Sequence, residues 1–199
     1  ANYKFATKES QERYRQAQLE KARAEYVKKA ADESKRESDQ RKRDEAERRR
    51  QIADGIDNNG REGILATANR YKGLSEKNPT DRGALMDFMK QQGIAVDPKM
   101  VAWCAAFVNA VLSANGLPGT GSLSARSFLG YGQQVSAADA KPGDVVVLKR
   151  GGGDQGHVGF FQGFDAKGNV RVLGGNQGDK VGTNTFPAND VLGFRRAPN

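Results

Sequence analysis

The sequence predicts an α+β fold that is preceded by a long charged helix. Three observations support this class. The first 51 residues contain none of the 24 glycines or six prolines. An apolar helical pattern covers Val101–Ala114, and short β-rich runs bounded by Gly, Asp and Asn follow it. Because the helical segments precede the strands along the chain, we expect helices packed on an antiparallel sheet.

The N-terminal segment, residues 1–52, predicts one uninterrupted helix. Its first 51 residues hold 16 Lys and Arg against 11 Asp and Glu. Acidic residues recur four positions before basic ones, as in Glu25/Lys29 and Asp44/Arg48, a spacing that stabilises exposed helices. The segment is rich in strong helix formers and contains no helix breaker.

This helix has little to bury. Its apolar positions form one thin stripe, Leu19, Ala22, Tyr26 and Ala30. A helix that is polar nearly all round bridges solvent or folds against a partner, so we expect an exposed tether or assembly arm that could form a homo-oligomer. Disorder in the free protein is one alternative. Nucleic-acid binding by Arg41–Arg50 is another, weakened because acids nearly balance the bases.

The change in composition predicts the domain organisation: an arm at residues 1–52, a linker at 53–61 and a globular domain at 62–199. A domain of that length can bury a hydrophobic core. The turn residues of Lys141–Asp144 separate its helical part from its strand part. The predicted helices are Gly60–Ala68, Arg82–Gln92, Val101–Ala114 and Leu123–Leu129, and the predicted strands are Asp144–Lys149, His157–Phe164, Asn169–Gly174 and Val191–Arg195.

Composition excludes several classes of protein. With one cysteine, Cys104, no disulfide can form within the chain, and with one histidine, His157, a structural Cys/His zinc site lacks ligands. No apolar run reaches the roughly 18–20 residues of a membrane span. The net charge of +8 favours an anionic partner such as nucleic acid, a membrane surface or an acidic wall polymer. Ala1–Phe5 lacks the apolar region of a signal peptide, so we expect synthesis in the cytoplasm and export by another route, if any.

Cys104 and His157 are the only thiol and imidazole that could form a nucleophile–base pair. Cys104 falls near the first turn of the apolar helix, where the helix dipole lowers the pKa of a thiol. The alternative is a small buried hydrophobic residue. His157 opens a strand after a glycine-rich run, in which Gly156 would let a substrate backbone approach; the alternative is a surface histidine.

A third group should orient the imidazole. If Asp165–Gly168 is a four-residue turn, the numbers of paired residues across the hairpin sum to 333, which places Asn176 opposite His157. Gln177 would then point to the other face, although a bulge would break the count. Asp154 and Asp165 are weaker alternatives.

One glycine pattern, Gly151-x-Gly153-x-x-Gly156, matches the dinucleotide-binding fingerprint. That fingerprint must open a helix, whereas the residues from His157 onward are strand-like. Nucleotide binding is therefore rejected.

Four segments together resemble a known family. They are Trp-Cys-Ala-Ala-Phe-Val-Asn (103–109), Lys-Pro-Gly-Asp-Val-Val-Val (141–147), Gly-His-Val-Gly-Phe (156–160) and Leu-Gly-Gly-Asn-Gln (173–177). In this order they are similar to CHAP amidohydrolase/peptidase domains of the papain-related NlpC/P60 superfamily. The resemblance covers roughly residues 62–197 and leaves the arm out.

The resemblance implies cleavage of peptidoglycan at a stem-peptide or muramyl-peptide amide bond, with no metal or cofactor. Cys104 would be the nucleophile, His157 the base and Asn176 the orienting residue. Substrate contacts are expected from Trp103, Gly156 and Gln177. The family often has Glu or Asp at the third position, and an Asn there would orient the imidazole only by a hydrogen bond.

The leading hypothesis is a cysteine peptidoglycan hydrolase carried on a helical arm, as in a bacteriophage virion or tail lysin, an endolysin or a delivered effector. The alternative is a structural virion or assembly protein whose CHAP-like domain is inactive or secondary, with the arm mediating oligomerisation or nucleic-acid contact.

Overall fold

The computed structural model describes residues 7–198, with side chains described for 7–44 and 63–198. The chain divides into two compact units, and the boundary falls between Ala53 and Asp54. Within the described residues, no helix combines the length and the apolar character needed to cross a membrane.

Helix α1 extends over Lys8–Arg70, so the backbone of the expected linker, residues 53–61, is helical. Gly55 and Gly60 each cost a helix only about 1 kcal/mol, so they do not by themselves end it. The composition therefore changes inside a helix. The predicted helix Gly60–Ala68 is the C-terminal part of α1, and Ile64 and Ala68 are buried in the core of the second unit.

Two further α-helices complete the helical part. Helix α2 covers Pro79–Gln91 and begins after Asn78, whose side chain accepts hydrogen bonds from the amides of Thr80 and Asp81. Helix α3 covers Cys104–Ala114, three residues shorter than predicted, because Val101 instead closes a turn onto Asp97. The predicted helix Leu123–Leu129 is a 3₁₀ turn at Ala125–Gly130, and a second such turn covers Ala188–Asp190.

A six-stranded antiparallel sheet forms the rest of the second unit, in the order β1-β6-β2-β3-β4-β5. The α+β prediction is confirmed. Two strands were not predicted, β1 and β5. Both are edge strands with polar outer positions, so they lack the apolar alternation that marks a half-buried strand. The strands are β1 (Gln133–Val135), β2 (Val145–Lys149), β3 (Gly156–Phe164), β4 (Val170–Gly174), β5 (Gly182–Phe186) and β6 (Val191–Arg196).

The sheet separates two apolar clusters. The larger joins α2 and α3 to alternate strand residues such as Val147, Val158 and Phe160. The smaller joins the intervening residues, among them Leu148 and Phe161. This alternation buries β2 and most of β3 on both faces, which fixes their register.

The β3–β4 hairpin keeps the predicted register where the two strands approach the candidate site. Phe160 pairs with Leu173 and Phe161 with Val172, in agreement with the sum of 333. The agreement arises because two deviations from the predicted hairpin compensate each other. The turn has five residues rather than four, since Phe164 pairs with Val170, and a bulge between Phe161 and Gly163 removes the extra residue.

Candidate active site

Cys104 is the first residue of α3, and its side chain is buried, with 4% of its surface exposed. Burial raises the pKa of the thiol, and this effect outweighs the backbone amides of Val158, Ala105 and Cys104 and the charge of Arg150, which all lower it. The amides at the start of α3 thus act in the expected direction, but burial has the larger effect and the net shift of the thiol pKa is upward. Since Val158 follows His157, the interaction with its amide places the sulfur beside the beginning of β3.

His157 is the second residue of β3, pairs with Leu148 of β2 and is 2% exposed. Burial lowers the pKa of the imidazole to about 4; the hydrogen bond with Gln177 opposes this effect and the charge of Arg150 adds to it. The imidazole and the thiol are therefore both uncharged at neutral pH.

The imidazole is oriented by Gln177, whose side chain is buried. The Gln177 Oε1 atom lies 2.8 Å from His157 Nε2, while the Gln177 Nε2 group donates to the carbonyls of Val172 (3.0 Å) and Gly182 (2.6 Å). Because both amide hydrogens are used, Oε1 must accept from the imidazole. This arrangement places the imidazole hydrogen on Nε2 and leaves a lone pair on Nδ1.

Asn176 does not hydrogen-bond His157, so the prediction that it orients the imidazole is wrong. Strand β4 ends at Gly174, and Asn176 has a left-handed backbone with φ of 55°. The register therefore does not continue as far as residue 176, and the turn brings the next side chain, Gln177, to the imidazole. The backbone carbonyl of Asn176 instead accepts a hydrogen bond from Arg150 Nη2 at 3.3 Å.

The two alternative acids, Asp154 and Asp165, are also not partners of His157. Asp154 lies in the exposed loop before β3. Asp165 closes the hairpin turn by accepting hydrogen bonds from Asn169 and, to a smaller extent, from Lys167, which lower the pKa of its carboxyl.

His157 Nδ1 is buried and has no hydrogen-bond partner among the described residues. The hydrogen bond between the thiol and the imidazole is thus not formed in this structure. Catalytic hydrogen bonds are often long in ligand-free enzymes and shorten when substrate binds. An unpartnered lone pair on a fixed imidazole, with the only thiol of the chain at the adjacent helix end, is suited to accept the proton of that thiol.

Trp103, predicted to contact substrate, is fully buried and cannot do so in this structure. Its Nε1 donates to Glu76 Oε2, and its ring fills the space beside Gly175, where an added Cβ would lie 2.5 Å from Trp103 Cζ3. Trp103 therefore joins the start of α3 to the loop that carries Gln177. Gln177 is also not a substrate contact, since its polar atoms are used within the protein.

Gly156 packs against the protein itself. An added Cβ would lie 3.1 Å from the Arg126 side chain and 3.3 Å from the Leu148 carbonyl. The absence of a side chain thus makes room for Arg126, which donates to the carbonyls of Gly153 and Gln155 and holds the glycine-rich loop. The loop leads into a strand, in agreement with the rejection of nucleotide binding.

The segment after α1 anchors the loop that carries Gln177. Backbone hydrogen bonds join Gly73 and Leu74 to Val181, and Glu76 to Asp179. A salt bridge of 2.7 Å between Lys77 and Asp179 lies at the exposed end of this contact. Glu76 thus contacts the loop through its backbone and Trp103 through its side chain. The sequence does not predict this role, because no pattern connects Glu76 with Trp103, 27 positions away, or with Asp179, 103 positions away.

Two polar residues of the family-like segments are structural. Asn109 is buried and binds the backbone of Thr120 and Ser122, which fixes that loop on α3. Asp144 is buried, caps its own turn at Lys141 and forms a 2.8 Å salt bridge with Arg196 of β6. Among the described residues, no three His, Cys, Asp or Glu side chains are grouped to hold a metal ion.

A comparison with protein families gives a match to the part of the chain that carries Cys104 and His157. Residues 96–176 match the model of the CHAP domain family. The matched segment contains Cys104 and His157 and ends one residue before Gln177. A comparison with curated proteins finds no match to the chain.

Proposed function

Since residues 96–176 form a CHAP domain, a cysteine- and histidine-dependent amidohydrolase/peptidase domain, we propose that the chain hydrolyses peptidoglycan at an amide bond of the stem peptide or at the muramyl-peptide junction. One observation carries this proposal: the Gln177 amide orients a buried imidazole whose unpartnered Nδ1 can accept a proton. The single thiol, Cys104, begins the helix beside it.

The proposed reaction begins when Nδ1 of His157 takes the proton of the Cys104 thiol as the sulfur attacks the carbonyl carbon. The resulting oxyanion is stabilised by the backbone N–H of Cys104, which as the first residue of α3 has no acceptor within the helix. The imidazolium then gives its proton to the amine, the C–N bond breaks and a thioester remains on Cys104.

The second half-reaction restores the enzyme. His157 takes a proton from water, and the hydroxide formed attacks the thioester carbonyl. Cleavage of the C–S bond releases a carboxylic acid, and the imidazolium returns its proton to the thiolate. Gln177 cannot neutralise the imidazolium, so its contribution is to hold the tautomer and the orientation of the imidazole.

Purified peptidoglycan tests the proposal directly. The chain should release soluble fragments, and Cys104→Ala should abolish release while leaving the circular dichroism spectrum and melting temperature close to wild type. Undiminished release by the variant would rule out Cys104 as the nucleophile and, with it, the proposed function.

We infer a carrier or assembly role for the arm, such as attachment within a phage virion. In the described part of α1, Tyr14, Leu19, Tyr26 and Val27 are between 55% and 74% exposed. Leu19 and Tyr26 are seven positions apart and lie on one helix face, which supports contact with a partner helix or a second copy. Sedimentation of the full chain should show an oligomer that Leu19→Glu with Tyr26→Glu dissociates; a monomeric wild type would exclude self-association.

A further inference from the structure

Arg150 is an exposed cation beside the candidate active site. It directly follows β2, in which Leu148 pairs with His157 and Lys149 with Gly156. Its Nη2 group donates to the backbone carbonyl of Asn176, at 3.3 Å. The guanidinium therefore spans from the end of β2 to the loop that holds Gln177.

The charge of Arg150 reaches both reacting groups. It lowers the pKa of the Cys104 thiol and that of the His157 imidazole. Within the described part of the chain, no other charged side chain contributes to either shift. The charged side chain that acts on both groups is thus a cation, which favours an anionic group in the substrate.

Most of the hydrogen-bonding capacity of Arg150 is available to a ligand. A guanidinium carries five N–H donors, and the bond to Asn176 uses one of them. Among the residues with described side chains, Arg150 forms no salt bridge with an acid. By contrast, Arg126 on the other side of the glycine-rich loop already donates to two backbone carbonyls of that loop.

We propose that Arg150 binds a free carboxylate of the substrate peptide, next to the amide bond that Cys104 attacks. The inference rests on the proposed function and adds a substrate class, a peptide with an ionised carboxyl group near the scissile bond. Stem peptides of peptidoglycan carry such groups. Guanidinium and carboxylate match in a two-bond geometry that a carboxamide cannot reproduce.

A matched pair of stem-peptide substrates tests the proposal, one with a free carboxylate near the scissile bond and one with the corresponding carboxamide. We expect kcat/KM for the carboxylate form to exceed that for the carboxamide by about 10-fold or more, as for hydrogen bonds to a charged group. Arg150→Gln should remove the preference, because it should slow the carboxylate substrate more than the carboxamide. Arg150→Lys should keep part of it, since the charge remains and the planar fork is lost.

Arg171→Gln is the matched control. It removes an equal charge from an exposed position of β4, opposite Gly163 and close to the hairpin turn. It should retain the wild-type preference. Equal wild-type rates on the two peptides would overturn the proposal. An equal loss of rate on both peptides in Arg150→Gln would also overturn it, because Arg150 would then act only on the thiol and the imidazole.

Binding separates this inference from the proposed function. Calorimetry with Cys104→Ala, in the presence and absence of Arg150→Gln, measures affinity for the same two peptides without turnover. Tighter binding of the carboxylate form that depends on Arg150 supports the inference even if the wild type cleaves neither peptide. Absence of cleavage would count against the proposed function alone. Equal or absent binding of the two peptides would overturn the inference.

Discussion

Gln177 determines which nitrogen of His157 can act as a base. Its amide group is fixed by two backbone carbonyls, those of Val172 and Gly182, and so presents only its oxygen to His157. The sequence predicts the thiol and the imidazole from their single occurrence. It does not predict Gln177, because the left-handed turn at Asn176 ends the strand register on which the count depends.

Replacing Gln177 tests this assignment. Gln177→Ala should lower kcat by about 100-fold, within the range of general acid–base effects, because the imidazole loses its orientation. It should also lower the free energy of unfolding by about 1–3 kcal/mol, because two buried carbonyls lose their donor. Asn176→Gly preserves the left-handed backbone and is the control. Hydrolysis assays measure kcat, and urea denaturation measures the free energy of unfolding. A larger loss of kcat in Asn176→Gly than in Gln177→Ala would restore Asn176 as the orienting residue.

The buried imidazole makes stability depend on pH. Its pKa is about 4 in the folded chain and 6.5 for an exposed histidine, so the unfolded chain binds the additional proton between these values. The stability contributed by the neutral imidazole is therefore present above pH 6.5 and is lost as the pH falls towards 4. The loss in the free energy of unfolding is about 3 kcal/mol.

Urea denaturation of the wild type and of His157→Gln between pH 4 and 7 measures this contribution. We expect the difference in unfolding free energy between the two chains to change with pH in that interval and to level off on both sides. Parallel pH dependence of the two chains would show that His157 titrates normally. The activity should fall with the same protonation, as the imidazolium cannot accept the thiol proton.

At the scale of elements, the site depends on the contact between α3 and the loop after β4. Trp103 precedes Cys104, and its ring packs on Gly175, two residues before Gln177. Sequence periodicity predicts the helices and central strands, since they bury whole faces. It cannot predict this contact, because the contact joins residues 72 positions apart through one glycine.

Gly175→Ala tests this contact. The new Cβ would lie 2.5 Å from Trp103 Cζ3 and 2.9 Å from Phe107 Cβ, and both side chains are fully buried. We expect a loss of about 1–3 kcal/mol in stability and a lower kcat, because the loop must move. Gly83→Ala, in α2 with no atom within 4 Å of the new Cβ, should instead stabilise the chain by about 0.5–1 kcal/mol. Thermal unfolding compares the two variants with the wild type. If Gly175→Ala is as stable as the wild type, the loop adapts to the new Cβ without loss of stability.

At the scale of the whole molecule, the basic charge is shared between the N-terminal segment and the rest of the chain. The first 51 residues have a net charge of +5 and the remaining residues a net charge of +3. A basic surface favours an anionic polymer such as peptidoglycan over a neutral one. The sequence predicts this division from glycine and proline usage, although it does not predict that one helix continues across the change in composition.

We propose that Cys104 and His157 cleave an amide bond of peptidoglycan. Mass spectrometry of the fragments released from purified peptidoglycan tests it most directly. We predict fragments with a new carboxyl and a new amine at one amide position, intact glycosidic bonds, and no such products with Cys104→Ala. Cleaved glycosidic bonds, unchanged peptidoglycan or the same products from the variant would contradict the claim.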